Sequence, residues 1–480
     1  MSLEPIGIIT FVIGFYCLLL GTRATTIAFI VICTLGSAAA ILIGGANVQP
    51  AHLFLVFLAL ASLTWRKIAN QALVAFRASE PGFWLLCLVI YGIFSSYLMP
   101  RLFAGETYIV PLGSTESLIT VYGVAPLAPV SSNTTQSIYL IGDLACFVMI
   151  FAIASTSSGF MSVANAIIIY AGANIFFGIL DLLTSMTGTQ EALKFIRNAQ
   201  YTFHDEESIG DLRRIIGSWP EASAFAGMTL SALGFTGTMW LYGRSPAITG
   251  TLAFLSLTFV ILSTSSSGLV GSVVVLGILY LIALMRCGTH WNYRFSAAMV
   301  LVAPLAVLTI ALLILSNEAA SAKIAEYLNV LIFDKSNSES GMQRASWNAF
   351  AWDNFIDTWG LGVGLGTNRA SSFVLAVLSN VGIPGAVFYI LFMALCFLPK
   401  IKNTRTYFGD VRTAATVACV SLLSGAFIAG GTVDLGLLFY VLAALASAYP
   451  ERAYLYSATT GARDGDRHAV VCGNFDEAQV

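Results

Sequence analysis

Long apolar runs separated by short polar breaks dominate the chain. A hydrocarbon core about 30 Å thick needs roughly 20 apolar residues per crossing helix, somewhat fewer where the flanks snorkel or the bilayer thins. By that measure membrane-crossing helices are predicted near 5–20, 25–44, 51–65, 82–99, 136–154, 161–180, 220–242, 247–263, 268–285, 295–315, 372–398, 411–429 and 433–449. That is thirteen, within a range of 12–14, and it defines an all-α polytopic integral membrane protein with its transmembrane domain over 1–450. The tail over 451–480 is polar, lacks periodicity and is expected to be disordered. No repeat of fixed period is visible, which argues against a transporter built from repeated halves.

Lys and Arg in the short connections fix an expected orientation. Arg23, then Arg66, Lys67 and Arg77, then Arg244, then Arg286 and Arg294, then Lys400, Lys402, Arg405 and Arg412 fall on alternate breaks, and the short breaks between carry none. The basic side is expected to be cytoplasmic, with the carboxy terminus inside. Three longer segments, about 100–135, 181–219 and 316–371, then lie outside.

Composition agrees with this pattern. The chain is 57% hydrophobic and only 10% charged, with a mean hydropathy of +0.82, whereas a soluble domain carries about 25% charged residues. A net charge of −2 is too small to attract a polyanion in bulk, so no nucleic-acid partner is expected and anion recognition must come from a few placed arginines. The eight cysteines show no metal-like spacing, and neither a disulfide framework nor a metal site is expected. The first apolar run follows MSLEP without a basic leader and ends at Thr22-Arg23 without a small-residue cleavage site, so it reads as a retained helix.

The candidate chemistry lies in the outer segments. The first, with Glu106, Glu116, Pro111, Pro126 and Pro129, reads as a packed loop or a short interfacial or re-entrant element. Asp143, inside the fifth predicted span, either faces a partner or wet cavity, because an acid at that depth costs roughly 2.5–3.5 kcal/mol, or lies nearer the interface capped by hydroxyls. The second segment carries His204, Asp205, Arg213 and Arg214 and then Gly217-Ser-Trp-Pro-Glu221. Ser218 is predicted to be the N-cap and Pro220 to lie in the first turn, with Glu221 near the membrane surface beside Arg214. Glu221 there either acts with Arg214 or merely complements the helix dipole.

The hydroxyl cluster Ser263-Thr-Ser-Ser-Ser267 reads first as a serine-capped tight turn and second as a sugar or phosphate contact. In the third segment SAKIAEYLNVLI has the spacing of an interfacial helix. Arg344 and Trp347 share a helical face, and the tryptophans at 347, 352 and 359 suit headgroup anchoring. Gly360-Leu-Gly-Val-Gly-Leu-Gly366 follows no strand, which argues against a dinucleotide loop. Its glycines are expected to let backbone run close to another element, presenting N–H groups and then Arg369.

Arg214-x-x-Gly-Ser-Trp-Pro-Glu-Ala-Ser-Ala-Phe-Ala, the serine-rich turn, Arg344-x-x-Trp347, Gly362-x-Gly-x-Gly366 and Leu375-x-x-Leu378-x-x-x-Gly382-Ile-Pro-Gly385, in that order, together resemble the O-antigen ligase and Wzy-type polysaccharide polymerase superfamily. The resemblance implies a GT-C-like glycosyltransferase of the bacterial inner membrane, working on the periplasmic face without metal, nucleotide sugar or other cofactor. Its donor and acceptor would be oligosaccharides on undecaprenyl diphosphate, with membrane lipid and a chain-length regulator protein as further partners. The ligase branch carries a His-Asn pair where this chain has Ser371-Ser372, and an arginine where it has Ser265 and Ser266, so the likeness favours the exopolysaccharide polymerase branch.

On that reading Arg214, Arg344, Arg369 and Arg213 bind the diphosphate, since the guanidinium fork holds phosphate oxygens bidentately. Glu221 is the first candidate base, with His204 and Asp205 behind it, and Ser371 and Ser372 are candidate base or sugar contacts. An O-antigen ligase, a lipid-linked glycan flippase or transporter, and a structural scaffold are the competing readings.

Overall fold

Prolines set where several helices begin, because a missing N–H costs nothing in a first turn. Pro5, Pro50, Pro81 and Pro246 each open one. The computed structural model describes residues 2–43, 46–64, 66–115, 123–199, 208–209, 212–287, 294–329, 338–398 and 406–451. His204, Asp205, Glu116 and the tail beyond 451 lie outside the described residues.

In chain order the elements are β1 (Ser2–Leu3), α1 (Pro5–Leu20), α2 (Thr22–Ile32), β2 (Ile41–Ile43), β3 (Ala46–Val48), α3 (Pro50–Leu63), α4 (Arg66–Val74) and α5 (Pro81–Leu102). Then come β4 (Tyr108–Ile109), β5 (Ala125–Pro126), α6 (Ser132–Ala154), α7 (Ser157–Thr187), β6 (Ser208–Ile209), β7 (Leu212–Arg213), α8 (Ala222–Leu241), α9 (Pro246–Leu262) and α10 (Ser266–Cys287). The chain continues through α11 (Arg294–Leu315), α12 (Glu318–Leu328), α13 (Glu339–Asp357), α14 (Phe373–Phe397), α15 (Tyr407–Ala429) and α16 (Leu437–Ser447).

This is an all-α polytopic membrane protein; its β pairings are short antiparallel patches, β1-β2-β3, β4-β5 and β6-β7. Among the described residues seven helices, α5, α6, α7, α10, α11, α14 and α15, are long and apolar enough to cross a membrane; the pair α3–α4 is bent by 110° and is either a broken eighth span or a re-entrant loop. Each of the thirteen predicted segments overlaps a helix, but α1, α2, α9 and α16 are shorter than a full crossing.

Two of the short helices correct the expected spans. The segment expected as a helix over 25–44 stops helically at Ile32 and turns into β2. The break makes room for another part of the chain: a Cβ on Gly36 would lie 2.1 Å from the Trp219 ring, and Ser37 bonds the Ser218 carbonyl with both its N–H and its hydroxyl. The last segment, expected over 433–449, is helical only from Leu437, since Gly436 has φ +82° and its N–H is held by Asp434 Oδ1 at 2.6 Å. The sixth helix, expected over 161–180, runs to Thr187 and carries Asp181 beyond its expected end.

α8 lies at the centre, packed by α7, α9, α10 and α15. Its Gly, Ala, Ser and Thr lower its hydropathy yet let neighbours approach closely: a Cβ on Gly234 would meet Ser421 Oγ at 2.3 Å. α16 is buried along its whole length between α6 and α15. α11 is the opposite case, strongly apolar with Ser296 its only buried residue.

The first long segment is a packed loop. Ile109, Ala125, Leu127 and Val130 bury against Val363 of the Gly-rich turn. Asn133, 4% exposed, accepts from Val130 N–H and donates to Leu365 O at 2.7 Å and Thr367 Oγ1 at 2.8 Å. Asn133→Ala strands these groups, and we expect a loss of about 1–3 kcal/mol in denaturant unfolding of the detergent-solubilised protein.

Candidate functional site

The Gly-rich turn is a fixed support. Gly360, Gly362, Gly364 and Gly366 all have positive φ, a region that favours glycine. A Cβ on Gly362 would sit 2.8 Å from the Asn380 backbone, and one on Gly366 would sit 2.6 Å from Ser132 O. The expected close approach is therefore present, against α14 and α6, and it takes up the N–H groups of the first part of the turn. Gly362 N–H bonds Thr358 Oγ1, Val363 N–H bonds Ser379 O at 2.7 Å, and Gly364 N–H bonds Asn380 O at 2.9 Å. Asn380 Oδ1 takes the N–H groups of Thr367 and Asn368. The turn's own packing thus engages the N–H groups of residues 360–364.

Arg369 follows the turn, its backbone N–H tied to Val110 O at 2.8 Å and its guanidinium 4.6 Å from the centroid of the Trp347 ring. That stack corrects the anchoring expectation for Trp347, which holds a cation, while Trp352 and Trp359 are exposed as anchors would be. α13 is seated by Asn354, which bonds Tyr108 O, and by Asn348, whose Oδ1 accepts the Ser371 N–H at 2.8 Å.

Arg369 is exposed, but the protein packed around its guanidinium lowers its pKa; the Glu221 carboxylate opposes the shift and the Arg344 charge adds to it. Arginine stays cationic at any working pH even so. Arg344 and Glu221 are thus each within electrostatic reach of Arg369, whose guanidinium stacks on the Trp347 ring. Ser371 is buried with its N–H engaged, and Ser372 is the N-cap residue of α14 without a side-chain cap bond.

Glu221 sits on the loop before α8, and the helix starts later than expected. Glu221 itself is the N-cap residue, partly exposed, and accepts from Ser223 Oγ. Ser218 is instead buried and donates to Thr34 O at 2.6 Å. Trp219 donates from its indole to Asn174 Oδ1 at 3.0 Å. Beneath the loop, Asp181 Oδ2 accepts the N–H groups of Ile216 and Gly217 at 2.9 and 3.0 Å, and Oδ1 pairs with Arg197 at 2.8 Å. Arg197 also donates to Gly217 O. This buried pair, and not a helix cap, sets the path of 214–221.

Arg214 lines a cavity of about 480 Å³ between α7, α9 and α12. Leu182, Ile215, Ile261 and Ile324 make it apolar, and Lys323 gives it a second cation. Tyr327 closes one side; burial raises its phenol pKa and the charge of Arg214 opposes that. None of Glu221, Arg344 and Arg369 lines this space, so the arginines divide between two places. Of Arg213 only the backbone is described, pairing with Ser208. His204 and Asp205 lie outside the described residues.

The serine cluster is a tight buried turn, with Ser265 Oγ bonded to Ser267 Oγ at 3.0 Å. Thr264, at φ +49°, lines the same cavity as Arg214. Sequence reasoning missed Asp181, Arg197 and Lys323. The first two are joined only by folding; Lys323 stood within the predicted interfacial helix and carried no separate signal. The chain matches no family model, and no curated protein matches it.

Proposed function

We propose that this chain is a GT-C-like glycosyltransferase of the bacterial inner membrane, with 12–14 spans and its carboxy terminus in the cytoplasm. It polymerises undecaprenyl-diphosphate-linked oligosaccharide repeat units into exopolysaccharide or O-antigen on the periplasmic face, without metal. The observation that carries the reading is an apolar cavity with Arg214 and Lys323 on its wall, accompanied by a second cluster in which Arg369 lies within electrostatic reach of Glu221 and Arg344. An amphiphile with an anionic head fits the first, and displacement of a diphosphate fits the second.

In the proposed reaction a sugar hydroxyl of one lipid-linked chain attacks the anomeric carbon of another. Glu221 takes the hydroxyl proton as the new C–O bond forms. The bond from the anomeric carbon to the diphosphate oxygen breaks, and undecaprenyl diphosphate leaves with the electron pair. Arg344 and Arg369 stabilise the charge on that leaving group, and Arg214 with Lys323 hold the diphosphate of the other lipid-linked chain while its isoprenoid lies along the apolar wall.

The test is reconstitution in liposomes with purified lipid-linked oligosaccharide and no nucleotide sugar or metal. A ladder of products is expected, and Arg344→Ala or Arg369→Ala should each slow it about 100-fold while inserting normally. A folded wild type that makes no ladder, or variants that polymerise at the wild-type rate, overturn the reading. Transfer to lipid A core instead would identify a ligase, and transbilayer movement of unextended substrate a flippase.

A further inference from the structure

Asp143 lies at the midpoint of α6, is 0% exposed, and neither carboxyl oxygen meets a donor. The carboxyl of Asp434 is within hydrogen-bonding reach. Asp434 stands on 430–436, a non-helical stretch that leads into α16, an 11-residue helix only about 16 Å long. Unwound backbone at membrane depth persists only where protein buries it or a cavity borders it. Here a small cavity of about 100 Å³ borders it, lined by Asp434, His52, Tyr139, Gln49 and Trp219 among others. Both ring nitrogens of His52 are buried without a hydrogen-bond partner, and its ring lies 4.8 Å from that of Tyr139.

A carboxyl buried without a donor is costly, whereas one proton shared with the neighbouring Asp434 carboxyl would give Asp143 a partner. The titratable groups around the pair are His52 on α3, Cys146 on α6, Tyr389 on α14 and Tyr440 on α16. Tyr389 and Tyr440 are occupied with each other at 2.9 Å, and Tyr389 also bonds Val433 O. Among the described residues, no lysine or arginine lines the cavity.

We propose that Asp143 and Asp434 form a membrane-embedded proton-binding site, one proton held between the two carboxyls and reached through the cavity that His52 borders. The site stands behind both halves of the candidate mouth. Gly431 O receives the N–H of Ala370, the residue after Arg369, and Trp219, two residues before Glu221, shares the cavity wall.

Infrared difference spectroscopy of the full chain in lipid nanodiscs, stepped from neutral to alkaline buffer, tests this. A carboxylic-acid C=O band is expected at neutral pH, shifted in D2O and lost or displaced in Asp143→Asn and Asp434→Asn. Should a variant not fold, wild-type protein carrying 13C at the aspartate side-chain carboxyl must show the same band moved by the isotope. Absence of the band, or a band indifferent to both the substitutions and the label, overturns the proposal. So does a band abolished by sodium in place of choline at fixed pH, which would make the occupant a metal cation.

Discussion

Arg197→Ala should destabilise the folded protein by about 3–5 kcal/mol, the usual cost of leaving a buried charge without its partner. Arg197 and Asp181 have side chains 6% and 2% exposed and lie 2.8 Å apart. Truncating the arginine removes the charge that Arg197 brings to the carboxylate, which keeps the two amides of Ile216 and Gly217. The loop 214–221 then loses its donor to Gly217 O as well. Asp181→Asn in the same chain should recover part of the loss by removing the stranded charge. Lys194→Ala is the control: its partner is Glu191, and both side chains are more than two-thirds exposed, so solvent screens the pair and no change is expected. Denaturant titration in a fixed detergent measures all three. An Arg197→Ala loss no larger than that of Lys194→Ala would show that the pair does not hold the loop.

Gly382→Ala should cost about 3 kcal/mol or more, from two additive sources. Alanine at positive φ costs roughly 1–2 kcal/mol, and forcing a methyl into a filled space typically 1–3 kcal/mol. Gly382 has φ +59° inside α14, and a Cβ there would stand 2.3 Å from Gly360 O and 2.4 Å from Leu361 C. Both neighbours are backbone, so neither can swing aside as a side chain would. Gly277→Ala, where nothing lies within 4 Å, is the matched control and should be neutral or slightly stabilising. The same denaturant titration decides, and equal midpoints for the two variants would contradict the clash.

Helix positions were legible in the sequence because apolar run length and proline placement are local properties. The pairing of Arg344 with Trp347 on one face was legible for the same reason, since helical spacing alone sets it. The position of Glu221 beside the start of α8 was legible too, though the start was misplaced because Ser218 and Pro220 make a good local cap. What overrode that cap was remote: Ser37, 181 residues away, already held the Ser218 carbonyl. Asp181 read as the edge of a loop because nothing local announces a carboxylate bonded to amides 35 and 36 residues later. The shortness of α16 was equally hidden, since Val433 and Leu435 look like helix residues until Asp434 is seen facing another acid.

The Gly-rich turn, with the amides of Gly362, Val363 and Gly364 bonded to Thr358, Ser379 and Asn380, separates two kinds of residue. Those that keep the fold are buried glycines and asparagines; Lys323, Arg344 and Trp347, which front the cavity and the mouth, stand on α12 and α13. The molecule can therefore vary what it recognises on these helices while its scaffold stays constant, so divergent relatives should keep the glycines and the asparagines and differ most along α12.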